Sequence, residues 1–289
     1  MISIFRIRAI FAEVNVAIKL FISDLDDSLL RDDQTIGERT ERALHALEER
    51  GVTIALASGR IYSAMRRYVN QLGVTAPAVA FNGAMIVDTA TGTPIDRTFI
   101  DADLACEALK ACEDMGLYVQ SYDEQGYFFE RQCEFSRYYE RVSGVVGGEL
   151  GKPASECVTG PMPKIVTINT PERTQELLPV LKERFKGRLD VSISKPMYIE
   201  MTHPDANKGA ALKQLCGLLG VGLEETLAFG DGSNDLTMLS AAGTGAAMLN
   251  ASDKVKAAAD IVTEADNNCA GVAQTVYRLM PEIGGACDE

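Results

Sequence analysis

Asp24, Asp26 and Asp27 crowd the end of an apolar run in which Leu20, Phe21 and Ile22 are strong β-formers. Carboxylates so close together repel one another unless a cation sits among them. If the run is a strand, alternation turns Asp24 and Asp26 to one side and Asp27 to the other. An acidic surface turn would contain the same residues, and what separates the two readings lies far downstream. Gly230-Asp231-Gly232-Ser233-Asn234-Asp235 follows a second apolar run, Thr226–Phe229. Between them, Ser58-Gly59-Arg60 ends a third run, Val52–Ala57, and Asn207-Lys208-Gly209 opens a helical stretch. Asp24, Asp231 and Asp235 offer hard oxygens to Mg2+, which takes a few carboxylates together with waters and substrate phosphate. Lys208, the Ser58 hydroxyl and neighbouring backbone N–H groups suit phosphate oxygens. A further carboxylate can then move a proton.

These residues converge only if the elements carrying them form one sheet. After the first strand, Thr35-Ile36-Gly37-Glu38 has capping-box spacing, and a helix with Ala43, Leu44 and Leu47 on its apolar face runs to Gly51. The strand 52–57, a helix over 61–72 and a third strand over 78–81 ending in Asn82-Gly83 follow. Strand–helix–strand connections of this length predict a parallel sheet, whose ligands bind at the strands' C-terminal ends. From about Met85 short paired strands alternate with helices, including hairpins over 86–100 and 191–201, which suggests an inserted α+β module. The parallel texture returns at Asn207. The predicted fold is therefore α/β. Residues 17–85 and 202–289 form a doubly wound, Rossmann-like parallel core, and 86–201 form an α+β lid. Residues 1–16 read as an extension rather than a leader, because Glu13 and Asn15 interrupt the apolar stretch after Arg6 and Arg8.

Composition narrows the function classes. The net charge is −13 and no basic stripe offsets it, which argues against nucleic acid as a partner. The seven cysteines form no CxxC pair and the two histidines lie far from them, so zinc is not expected and the thiols read as reduced. No apolar run reaches membrane-spanning length. A cytoplasmic enzyme is the expectation, with monomer or homodimer left open.

In order and in place, the four signals resemble the haloacid dehalogenase-like superfamily of aspartate-nucleophile phosphatases, with a closer likeness to its Cof-type (IIB) sugar-phosphatase branch. The likeness covers about Ala17 to Met280 and includes Asn82-Gly83-Ala84 and Met248-Leu249-Asn250-Ala251. It implies a Mg2+-dependent phosphatase acting on a small phosphorylated metabolite, a sugar phosphate by class. Asp24 would be the nucleophile that forms an aspartyl-phosphate, and Asp26 the acid and then the base. Asp24, the Asp26 carbonyl and Asp231 would hold the metal, with Asp235 as an outer ligand. Ser58, Gly59, Lys208 and Asn234 would bind the phosphoryl group. Two positions depart from the family pattern: Asp27 stands where Gly is common, and Ser28 where Thr is usual. Ser28 keeps a hydroxyl for the motif's backbone.

Two rival readings use the same scaffold: a phosphohexomutase-like transferase, which needs a more basic lid pocket, and a non-catalytic regulatory protein, which would not need Asp24, Asp26, Lys208 and Asp231 together. Arg60 reads as structural or as a charge on the substrate rim. The lid's aromatics (Tyr118, Tyr122, Tyr127, Phe128, Phe129, Phe135, Tyr138 and Tyr139) read mostly as that module's core. Arg131, Arg137 and Lys164 are its polar candidates for touching substrate.

Overall fold

The computed structural model describes residues 17–283; the expected extension, Cys287 and the glycine-rich end lie outside the described residues. Its core is a parallel sheet of five strands: β1 (Leu20–Ser23), β2 (Thr53–Leu56), β12 (Thr226–Gly230), β13 (Thr244–Ala247) and β14 (Ile261–Val262). The spatial order is β14-β13-β12-β1-β2. β1 is apolar on both faces because both are covered. Leu20 and Ile22 pack with Ala211, Leu212 and Leu215 of α6 (Lys208–Leu219) and with Met238 and Leu239 of α7 (Leu236–Ala241). Phe21 packs oppositely, with Ala43, Leu44 and Leu47 of α1 (Glu38–Glu48), Met65 and Val69 of α2 (Tyr62–Leu72), and Val272 and Val276 of α9 (Gly271–Leu279). From β1 the chain crosses to β2 on one side and returns to β12 on the other, which opens a crevice at the C-terminal ends of β1 and β12.

A second sheet of six strands roofs that crevice, in the order β10-β11-β9-β6-β7-β8. Its strands are β6 (Val119–Tyr122), β7 (Tyr127–Phe129), β8 (Gly148–Glu149), β9 (Ile165–Ile168), β10 (Asp190–Lys195) and β11 (Tyr198–Thr202). Ile165, Val191, Ile199 and Met201 pack outward against α3 (Ala102–Asp114) and α5 (Pro171–Arg184). Tyr122, Tyr127, Phe129, Val166, Ile168 and Tyr198 belong instead to the cluster that includes Phe81 at the crevice. The loop from β7 to β8 contains α4 (Glu134–Ser143). Short β8, hydrogen-bonded in parallel to β7, lies in a Gly/Pro-rich connection that carried no strand signal.

Three expectations need correction. The third strand, β3 (Ala78–Ala80), joins the parallel sheet only through a bridge between Val79 and Ala57; its main partner is antiparallel β4 (Met85–Val87), which pairs in turn with β5 (Pro94–Arg97). This β4–β5 hairpin therefore continues from a core strand, and Ile86 packs among the β1 residues. The Thr98 N–H donates to Ala84 and the Ile100 N–H to Met162, so we place the crossing into the lid between those two residues. The capping box is absent: Gly37 is the N-cap of α1, and Thr35 donates to Asp33 instead. Finally, β1 ends at Ser23, so strand alternation does not govern Asp26 and Asp27. Asp27 adopts φ +57° and faces the cleft mouth. That left-handed geometry is one that glycine adopts most readily.

Gly83 fixes how the core loops nest. Its φ is +103°, and a Cβ there would stand 2.3 Å from the Asn207 carbonyl oxygen, at the residue that caps α6. Gly83→Ala should therefore destabilise the fold by about 3 kcal/mol, through strain and backbone collision together. Urea unfolding of the purified variant measures it; an unchanged midpoint would show that the nesting is loose.

Candidate active site

Each site residue follows the end of a parallel strand or opens a helix behind it. Asp24 follows β1, its N–H bonded to the Phe229 carbonyl of β12 at 3.0 Å. Asp231 follows β12. Ser58 lies just past β2 and is 1% exposed, with its hydroxyl accepting from the Arg60 N–H at 3.2 Å. Asn207 caps α6 by accepting from the Ala210 N–H at 2.9 Å, which sets Lys208 at the first turn. Placed at a helix N-terminus, Lys208 opposes the dipole. Two carboxylates hold it there: its Nζ donates to Asp24 Oδ1 at 2.7 Å and Asp235 Oδ1 at 2.6 Å, with no part of Lys208 exposed. Burial alone would push the ammonium pKa down, but the charges of Asp235 and Asp24 outweigh it and raise it above the usual lysine value.

Asp24, Asp26, Ser58, Gly59, Asp231 and Asn234 line one cleft between the core strand ends and the lid sheet. Lys208 and Asp235 lie beneath its floor. Both oxygens of Asp235 are engaged: Oδ1 accepts from Lys208 at 2.6 Å, and Oδ2 accepts from the N–H groups of Asp231 and Gly232 at 3.0 and 2.9 Å. It holds the loop rather than facing the cleft. Ser28 donates to Asp231 Oδ1 at 2.8 Å, so its hydroxyl serves a side chain and not the motif's backbone. Asn250 and Asn267 anchor the loop after Asp24 by donating to the Asp27 and Leu30 carbonyls at 2.7 and 2.9 Å.

Asp26 is gripped from a side the sequence did not indicate. Arg60 Nε donates to its Oδ2 at 2.7 Å and a terminal guanidinium nitrogen to its Oδ1 at 2.6 Å, the bidentate geometry that suits guanidinium to carboxylate. Burial pushes the Asp26 pKa up, but the Arg60 hydrogen bonds and charge more than offset it, and the carboxyl lies below its ordinary value. Of the lid's polar candidates, Lys164 lines the cleft. Arg131 pairs with Glu130 on an exposed edge and Arg137 reaches Gln132. Asn82, from the Asn82-Gly83-Ala84 segment, also lines it, as do Tyr198 and Glu200, which carried no motif.

One carboxylate oxygen from each of Asp24, Asp231 and Asp235 lies within 4.8 Å of the others. Burial first, then the neighbouring Asp235, Asp231 and Asp26 charges, raise the Asp24 pKa, with Lys208 opposing. Burial and Asp235 likewise push Asp231 up to about 7. A carboxylate cluster that resists ionisation with one ammonium among it is short of positive charge. Asp24 and Asp231, both at the cleft, fit a hard divalent cation such as Mg2+.

Residues 21–276 match the model of the haloacid dehalogenase-like hydrolases. The HMP-PP phosphatase of Yersinia pseudotuberculosis is 30% identical over 238 residues, covering 82% of this chain and 86% of that protein. The 5-amino-6-(5-phospho-D-ribitylamino)uracil phosphatase YitU of Bacillus subtilis is 29% identical over 262 residues, covering 88% and 95%. A crystal structure from Thermotoga maritima superposes with a TM-score of 0.81 at 33% identity, covering 90% of this chain and 97% of that one.

The raised carboxylates set a pH dependence for the metal-free protein. A group whose folded pKa exceeds its unfolded value binds more protons when folded, so stability falls as pH rises between the two. For Asp231 that window runs from the ordinary 3.8 to about 7, and the raised Asp24 acts in the same direction. In the presence of chelator the melting temperature should fall as pH rises from about 5 to about 7. Mg2+ should restore more of it at the upper end, and Asp231→Asn should flatten the chelator curve. A Mg2+ response independent of pH would show that these carboxylates are not its ligands.

Proposed function

The chain belongs to the haloacid dehalogenase-like hydrolases and is a phosphoric monoester hydrolase; on that premise we propose that it is a Cof-type (IIB), Mg2+-dependent phosphatase of small sugar or sugar-alcohol phosphates working through an aspartyl-phosphate. The observation that carries this reading is the buried Asp24, held on one oxygen by Lys208 at the floor of a cleft that also contains Asp26, Asp231 and Ser58. The Bacillus subtilis relative is named for a phosphorylated ribityl chain, which supports the polyol class. The acidic chain and the free thiols of its six described cysteines suit the cytoplasm.

In the proposed reaction Lys208 fixes Asp24 by Oδ1, and the other oxygen attacks phosphorus. Ser58 and the N–H groups of the following turn, with Asn234 from the facing loop, hold the phosphoryl oxygens. As the bond from phosphorus to the leaving oxygen breaks, that oxygen takes a proton from Asp26. Water then gives a proton to Asp26 and attacks the aspartyl-phosphate, which frees Asp24 and inorganic phosphate. A bound Mg2+, held by Asp24, Asp231 and the Asp26 carbonyl, would neutralise phosphoryl charge. Arg60 keeps Asp26 ionised in the state seen here, which suits the second half. To deliver a proton in the first, Asp26 must free one oxygen from Arg60. A mutase would need cationic groups for a second phosphate. Of the cleft's Arg60, Lys164 and Lys195, the first two already face Asp26 and Glu200, so we rank that reading second.

Phosphate release from an aryl phosphate and a panel of sugar phosphates, with and without Mg2+, tests the proposal. Asp24→Asn and Asp26→Asn should each lower kcat by roughly 1000-fold or more, as loss of a nucleophile or a positioned acid does. No release by folded wild-type protein that binds Mg2+ would overturn the proposal.

A further inference from the structure

Of three buried polar side chains on the inner face of the lid sheet, one has no hydrogen-bond partner and two meet each other only at long range. Tyr198 is 6% exposed, and its hydroxyl completes no hydrogen bond within the protein. Glu200 lies two residues on along β11, on the same face, and is 7% exposed. Its Oε1 accepts from Ser194 Oγ at 2.7 Å, but its Oε2 has only Lys164 Nζ at 3.5 Å and Asn82 Nδ2 at 3.4 Å. Both are at the outer limit of a hydrogen bond. Lys164 is 3% exposed and makes one short bond, to the Gly59 carbonyl at 3.0 Å. All three line the cleft that contains Asp24 and Asp26.

We propose that Tyr198, Glu200 and Lys164 form the subsite that reads hydroxyl groups on the leaving group. The inference rests on the phosphatase reading and specifies its substrate side. A hydroxyl both donates and accepts; Glu200 offers an acceptor, Lys164 a donor and Tyr198 either. A diol spanning them would satisfy the loose end of each. A second phosphate would meet the Glu200 charge, and an alkyl chain would leave the Tyr198 hydroxyl without a partner and Glu200 Oε2 with only its two long contacts. Tyr139, Val142 and Val145 line the same cleft and supply an apolar wall for the carbon face of a sugar or polyol.

The test compares kcat/KM for the best-hydrolysed sugar or sugar-alcohol phosphate with that for hexyl phosphate, which has a similar chain and no hydroxyls. Wild type should prefer the hydroxylated substrate by about 100-fold or more, because sites built to bond a hydroxyl reject analogues that lack it. Tyr198→Phe and Glu200→Gln should each cut that preference about tenfold. Tyr198→Phe removes only an oxygen unbonded within the protein, so its melting temperature should not fall, and it remains informative if Glu200→Gln fails to fold. A wild type without the preference, or folded variants that keep it in full, would overturn the proposal. Release from the aryl phosphate alone would overturn it while leaving the phosphatase reading standing, whereas no release from any substrate would fell that reading itself.

Discussion

The fold is built around a lysine that has no water. Lys208 is fully buried, and an ammonium in that position survives only with charged partners in good geometry. Asp24 and Asp235 supply them, and each arrives from a different strand end, so the ion cluster fixes β1, β12 and α6 relative to one another. The helix is pressed close to make this possible: a Cβ on Gly209 would stand 2.4 Å from the Thr237 carbonyl oxygen. Glycine beside the lysine is thus a packing requirement of the ion cluster. The same cluster ties stability to chemistry, because the groups that need a cation are those that would attack phosphorus.

Much of this was legible because strand ends are punctuated by the chemistry they position. The runs Leu20–Ile22, Ile54–Leu56 and Thr226–Phe229 are apolar on both faces, as helices on either side require, and each passes directly into polar residues at the crevice. What escaped the sequence has physical causes. The alternation argument placed Asp27 outward, but alternation holds only while a strand lasts, and this one ends before Asp24. The Thr35–Glu38 spacing suggested a capping box, yet Asp33 competes for the threonine and the helix starts after Gly37. Arg60 read as a rim charge because nothing local points it to Asp26, which is distant in sequence and adjacent only after β1 and β2 pair. Tyr198 and Glu200 sit on a strand whose alternate residues, Ile199 and Met201, face the lid helices. A glutamate on the opposite face reads as solvent-exposed until the core is known to lie beneath it.

The lid and the core are therefore best understood as one chemical surface. Lys164 leaves the lid strand to bond the Gly59 carbonyl, within the turn that follows Ser58. Asn82, at the end of a core strand, reaches Glu200 in the lid and accepts from Asn234 in the loop that carries Asp231. The polar contacts between lid and core are few and several are long, and beside them Phe81 packs edge-on against Tyr122 of the lid. An interface of that kind can open to admit a substrate and reform around it. The Lys164 ammonium donates to both the Gly59 carbonyl and Glu200, while Asn82 accepts from Asn234 with its oxygen and donates to Glu200 with its nitrogen. A leaving group that completes the Glu200 cluster would therefore stabilise the arrangement that brings lid and phosphoryl site together, and one that cannot would leave that closure unrewarded.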